Sequence, residues 1–215
     1  EAHFEHPKIK EIDEQCFRKT VRPSKTSRHI HSIKEMLKKS LGKFVKKYNI
    51  DLVIAENALT IPMNVPLGLA ITEFIAETAM PTIAHHHDFF WERERFLVTS
   101  INDFLQAAFP PGLPSIQHVV INSIASNMLS YRVGLSNTVI PNVYDFSKPP
   151  EEPDPETIRK LREEIGLGKG DPLILQPTRL VPRKWIERSI EMVAQINLRW
   201  PILVVSHASG DEGGD

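Results

Sequence analysis

"QHVVINSIASNML", residues 117–129, decides the fold class of this chain. Its first part, residues 117–122, is a short apolar run of strand length, and Ser123 is placed to cap a helix behind it. A strand that hands directly to a helix is half of a parallel crossover unit. Upstream, residues 51–55 (DLVIA) and 81–84 (PTIA) are two more short apolar runs without alternation, which suits parallel strands covered on both faces. Residues 138–140 (TVI) make a fourth. Between them Leu67, Ala70, Ile71, Phe74 and Ile75 recur at helical spacing, and a polar helix is expected over 91–108. Ile30, Ile33, Leu37, Leu41, Phe44 and Val45 mark a longer helix over 29–48. Alternation of short buried strands with helices predicts an α/β fold with a Rossmann-like, doubly wound parallel sheet.

Composition narrows the class of partner. With 41% hydrophobic and 25% charged residues in 215, the chain is of ordinary globular make-up. Its net charge of −1, from 26 basic and 27 acidic side chains, gives no reason to expect nucleic acid. No apolar run approaches the roughly 20 residues of a membrane span. The first sixteen residues are charged and lack the apolar core of a secretion signal. The single cysteine, Cys16, excludes an intrachain disulfide and a cysteine-rich zinc site. The cytoplasm is the expected compartment. Peripheral contact with anionic lipid is one role for the lysine-rich face of residues 29–48, and a solvated face is the commoner one.

Residues 141–155, "PNVYDFSKPPEEPDP", hold five prolines and no apolar periodicity, and read as a linker after an N-terminal domain over 1–140. Asp154 then caps a helix opened by Pro155, with Ile158, Leu161 and Ile165 on one face and Gly166 as its stop. Strands are expected at 173–175 and 202–205, with a helix over 186–197 between them. Two strands and two helices bury little core, so residues 156–215 read as the start of a second domain. The first domain likewise lacks opening strands, and both are expected to be incomplete.

In open α/β sheets ligands sit outside the carboxyl ends of the strands. His85, His86, His87 and Asp88 lie at such an end, where imidazoles can donate to hydroxyls or balance charge on a leaving group near neutral pH. On an extended segment His85 and His87 can converge and His86 cannot, which is short of the three ligands zinc usually takes. No bound metal is therefore expected. A metal-dependent hydrolase built on His85, His87 and Asp88 is the weaker reading. Arg179, Arg183 and Lys184, in "PTRLVPRKWIERSIEMV" (177–193), concentrate positive charge in a second strand-to-helix loop, a good place for a diphosphate. Glu56 and Asn57 lie just past another strand end and can bind hydroxyls or serve as buried polar caps. Glu92 and Glu94 read as surface ion-pairing residues. No GxxxxGK[ST] or GxGxxG motif occurs.

These motifs together resemble the retaining glycosyltransferases of family 4. Residues 177–193 are similar to that family's "GRLVPEKG" segment, with Arg179 and Lys184 at the matching offset and Trp185 where the family has glycine. "VIPNVYDFSKPP" (139–150) looks like its "IPNGVD…F.P" hinge, "TIAHHHDFFW" (82–91) like its "VHD" strand end, and "HVVINSIASNML" (118–129) like its "VVxVSxxxxxxL" strand and helix. The resemblance implies a GT-B fold, two Rossmann-like domains facing each other across a cleft. It also implies transfer of a sugar from a nucleotide-diphosphate sugar to an acceptor, with retention and without an essential metal or other cofactor. Arg179 and Lys184, with Arg183 beside them, would neutralise the donor diphosphate. His87, with His86 next to it, would contact the transferring sugar, and Asp88 would orient that histidine or the acceptor. Glu56 and Asn57 would lie toward the acceptor. The family's Gly-rich loop and its acidic E-x7-E motif have no counterpart in these residues, so part of a longer enzyme is expected. The alternative is a non-catalytic fragment that binds a nucleotide sugar or a partner.

Overall fold

The computed structural model describes residues 2–168 and 170–208. In it the decisive stretch becomes β3 (Ile116–Val120) followed by α6 (Ser123–Val133). The cap lies one residue earlier than expected. Asn122 is the N-cap and its Oδ1 accepts the Ala125 N–H at 2.8 Å, so Ser123 opens the helix. β1 (Val53–Glu56), β2 (Thr82–His86), β3 and β4 (Asn137–Val139) form one parallel sheet in that order. The register sets Glu56 beside His85 and His85 beside Val119. Strand order does not reverse among the described residues, so the winding seen in them runs in one direction and the expected double winding is not displayed there.

α3 (Val65–Thr78) crosses from β1 to β2 and closes a small core of Leu59 and Ile75 with Ala55, Ala84 and Ile116 of the sheet. A larger core is helical. It joins α1 (Pro7–Cys16) and α2 (Ser24–Tyr48) to α3 and α5 (Asn102–Ala108) through Ile9, Ile12, Ile30, Ile33, Val65 and Leu105. Burial of each such aliphatic side chain contributes roughly 1.5–3 kcal/mol. Lys34 and Lys38 of α2 turn toward Glu73 of α3 and ion-pair with it, so part of the lysine-rich face meets protein rather than solvent. No helix among the described residues is long and apolar enough to cross a membrane.

The single helix expected over 91–108 is instead a 3-10 turn (Phe90–Glu92), a short α4 (Glu94–Leu97) and α5. The cause is tertiary. Residues 98–100 run extended against the end of α1, with Arg18 N–H donating to the Val98 carbonyl at 2.7 Å and Ser100 N–H to the Cys16 carbonyl at 2.9 Å. Phe17 bridges Thr99 in antiparallel fashion and packs edge-on to Phe96 at 4.8 Å.

The chain divides into two units, Glu1–Tyr144 and Asp145–Asp215. In the second, α7 (Pro155–Glu164) has Asp154 as its N-cap, accepting the Thr157 N–H at 3.1 Å. β5 (Leu173–Arg179) and β6 (Ile202–His207) pair in parallel, joined by a 3-10 turn (Pro182–Lys184) and α8 (Ile186–Gln195). β5 extends four residues beyond the expected 173–175. Its register shifts between Gln176 and Arg179, where Pro177 has no N–H for the ladder, and Arg179 then pairs with His207. Residues 209–215, the end of the expected second domain, lie outside the described residues.

Candidate functional site

Two groups of polar side chains stand at strand carboxyl ends, one in each unit. In the first, strand alternation separates the histidines. Thr82, Ala84 and His86 of β2 point into the protein and Ile83 and His85 to the other face. His86 is wholly buried. Its Nδ1 meets the Thr60 hydroxyl and its Nε2 lies 2.9 Å from His118 Nδ1, with the two rings stacked at 5.2 Å. The Pro111 backbone, which has no N–H and can only accept, takes a hydrogen bond from His118. One neutral arrangement satisfies every partner: His118 donates to Pro111, His86 Nε2–H donates to His118, and the Thr60 hydroxyl donates to His86. Burial first, then the neighbouring His118 and His85, push His86 down to about 3, and burial also lowers His118. His86 is therefore a neutral internal strut, buried between Thr60 and His118 rather than presented at the strand end as expected.

His85 and His87 instead converge on Glu56. His85 Nδ1 is 2.9 Å from Glu56 Oε2, and His87 Nε2 is 2.5 Å from Oε1. Desolvation pulls the Glu56 carboxyl upward, but hydrogen bonding and charge from His85, then His87, outweigh it and hold the group below the usual carboxylate value. Asn57 adopts a left-handed conformation at φ 53, which asparagine tolerates. Its N–H donates to the His85 carbonyl and its Oδ1 accepts the His87 N–H, each at 2.9 Å. Asn57 thus staples the β1 turn to the end of β2.

Asp88 accepts from Arg93 Nε at 2.7 Å and Nη2 at 2.5 Å. The side chains gathered at metal-ligand spacing among the described residues are Glu56, His85 and His87, so Glu56 takes the place expected of Asp88. The aromatic stretch packs. Phe89 is fully buried and stacks on Trp91 at 4.5 Å, while the Glu92 carboxylate accepts the Phe89 N–H at 2.6 Å.

In the second unit Arg179, Arg183 and Lys184 come together. With Pro177, Thr178 and His207 they line an open depression of about 270 Å³ at the ends of β5 and β6. Gln176 Nε2 donates to the Lys184 carbonyl at 2.9 Å and holds the 3-10 turn against β5. Thr178 Oγ1 is buried without a hydrogen-bond partner among the described residues, an orphaned group that a bound molecule could satisfy. Trp185 closes the turn at φ 56, ψ 46, the left-handed region where glycine is the unstrained residue. Three cations beside a helix start concentrate positive charge at the end of β5. Sequence reading missed His207, whose Nδ1 lies 2.6 Å from Ser206 Oγ. Its signal was its place at the end of the apolar run 202–205.

No family model matches the chain. Mannosylglucosylglycerate synthase from Petrotoga mobilis is 37% identical over 171 residues, covering 74% of this chain and 39% of that protein. Mannosylglucosylglycerate synthase from Thermotoga maritima is 37% identical over 156 residues, covering 72% of this chain and 35% of that protein. The chain is thus homologous to part of two mannosylglucosylglycerate synthases, and it spans between a third and two fifths of the length of either.

Proposed function

We propose that this protein is a glycosyltransferase of GT-B architecture, belonging to family 4. It moves a hexosyl group from a nucleotide-diphosphate sugar to an acceptor with retention of anomeric configuration. The names of its relatives describe a glycerate-bearing product, which supports a carboxylate-bearing glycoside as acceptor. The observation that carries the reading is the convergence of Arg179, Arg183 and Lys184 on one depression.

Cleavage of the bond between the anomeric carbon and the diphosphate leaves its electron pair on the departing oxygen. Fixed cations are the direct remedy for that developing charge. In this reading Arg179, Arg183 and Lys184 hold the donor diphosphate. His87 and Glu56, with Asn57 fixing the His87 backbone, serve the transferring sugar and acceptor, and Asp88 with Arg93 sets the adjoining loop.

Arg179→Ala and Lys184→Ala should each lower turnover by about 10²–10³, equivalent to roughly 2.7–4 kcal/mol of lost charge stabilisation. The assay measures sugar transfer from UDP- and GDP-linked hexoses to glucosylglycerate, with NMR reading the anomeric configuration. Wild-type turnover in both variants would exclude these residues from the donor site. A second reading, a non-catalytic nucleotide-sugar binder, is favoured by one observation, Trp185 at the glycine position. Calorimetric binding of donor without any product would select it.

A further inference from the structure

We propose that Glu56, His85 and His87 form a binding site for one late first-row divalent cation, such as zinc or cobalt. No step of the transfer reaction is needed for this site, because the fold itself holds the three side chains together. Glu56 ends β1, and the parallel register sets it directly beside His85. Alternation along the strand brings His87 to the side of His85 while sending His86 into the core. The Asn57 side chain then anchors the His87 backbone. Two imidazoles and one carboxylate are the donor set that zinc, cobalt and ferrous iron share.

The spacing agrees with that chemistry. One donor atom from each residue lies within 4.8 Å of the other two, and Glu56 already touches both imidazoles at 2.9 Å and 2.5 Å. An ion about 2.0–2.2 Å from each donor places its ligands roughly 3–3.5 Å apart, so small side-chain rotations complete the site. The carboxylate divides its two oxygens between the histidines, which brings all three donor groups to one point. The Glu56 side chain is 56% exposed and that of His87 35%, which leaves coordination positions open toward solvent. Those positions suit water, a sugar hydroxyl or a carboxylate oxygen.

The test needs neither donor nor acceptor, so its failure and that of the transfer reading are separate results. The chain is purified without a polyhistidine tag, stripped with chelator, and titrated with Co²⁺ while the visible absorption is followed. Dialysis against Zn²⁺ and metal analysis then give the stoichiometry. One ion per chain is expected, with affinity weakened about tenfold or more in Glu56→Gln, His85→Ala and His87→Ala. A His3→Ala/His6→Ala double variant should bind as wild type. Imidazole NMR of the unaltered chain covers the case in which a variant fails to fold: Zn²⁺ should move the His85 and His87 resonances and leave those of His118 in place. Absence of a stoichiometric ion, equal affinity across the folded ligand variants, or shifts confined to other histidines would overturn the site.

Discussion

Trp185 shows what a single backbone conformation decides. A non-glycine residue in the left-handed region costs about 1–2 kcal/mol, while glycine adds about 0.5–1 kcal/mol of unfolded-state entropy. Trp185 is 59% exposed, and the Arg188 guanidinium stands 5.7 Å from its ring, so little packing is lost on its removal. Trp185→Gly should therefore stabilise the second unit by up to about 1 kcal/mol in urea denaturation. A loss of stability would show that the ring packs more tightly than its exposure indicates. Gly68 presents the opposite case. A Cβ there would lie 2.2 Å from Phe109 Cζ, and Phe109 is only 2% exposed. Overpacking costs about 1–3 kcal/mol, more than the roughly 1 kcal/mol that alanine gains in a helix. Thermal melting of Gly68→Ala should report a net loss of about 1 kcal/mol. Residue identity in the sequence marked Trp185 as unusual, but nothing local marked Gly68, because the ring that excludes a side chain there is 41 positions away in the sequence.

Among the elements, α2 and α3 are joined by an ionic seam over an apolar one. Glu73 receives both Lys34 and Lys38, and Lys38 also donates to Glu77 at 2.8 Å. Hydrogen bonds from Lys34, then Lys38, hold the Glu73 carboxyl below its ordinary value of 4.5. A carboxyl whose folded pKa is depressed contributes stability that is present above 4.5 and lost as pH falls through the lower folded value. Acid melting of the wild type should thus fall more steeply below that pH than melting of Glu73→Gln. At neutral pH the substitution should cost about 1 kcal/mol, and less in high salt, because solvent screens a partly exposed pair. Equal acid limbs in the two proteins would remove Glu73 from this role. Periodicity made α2 and α3 legible, since each carries a continuous apolar stripe. It did not reveal the break at 98–101, where the backbone is satisfied by α1 rather than by its own helix. α1 also escaped notice, although Pro7 at its start and Ile9, Ile12 and Cys16 on its buried face were local signals.

For the whole molecule, the units differ in how much apolar side chain they enclose. Among the described residues the buried hydrophobics of the second unit are Leu167 and Val181, whereas the first unit holds the three core clusters. Opening of local structure is governed by such burial. Amide exchange should accordingly be much faster in β5 and β6 than in β2 and β3, and equal protection would contradict this ranking. The α/β class with parallel strands, the strand-to-helix order and the position of most strands were determined by the sequence alone, because short apolar runs and helical stripes are local patterns with a fixed period. The sequence also placed the candidate residues at strand ends, since strand direction follows from parallel crossovers. Only the tertiary structure decided which of them meet. It drew Glu56 to His85 and His87, sent His86 inward to His118, gave Asp88 to Arg93, and added His207 to the cations at the end of β5. The physical reason is that alternation states which face a side chain takes, while its partner on that face is set by the register of a neighbouring strand distant in the sequence.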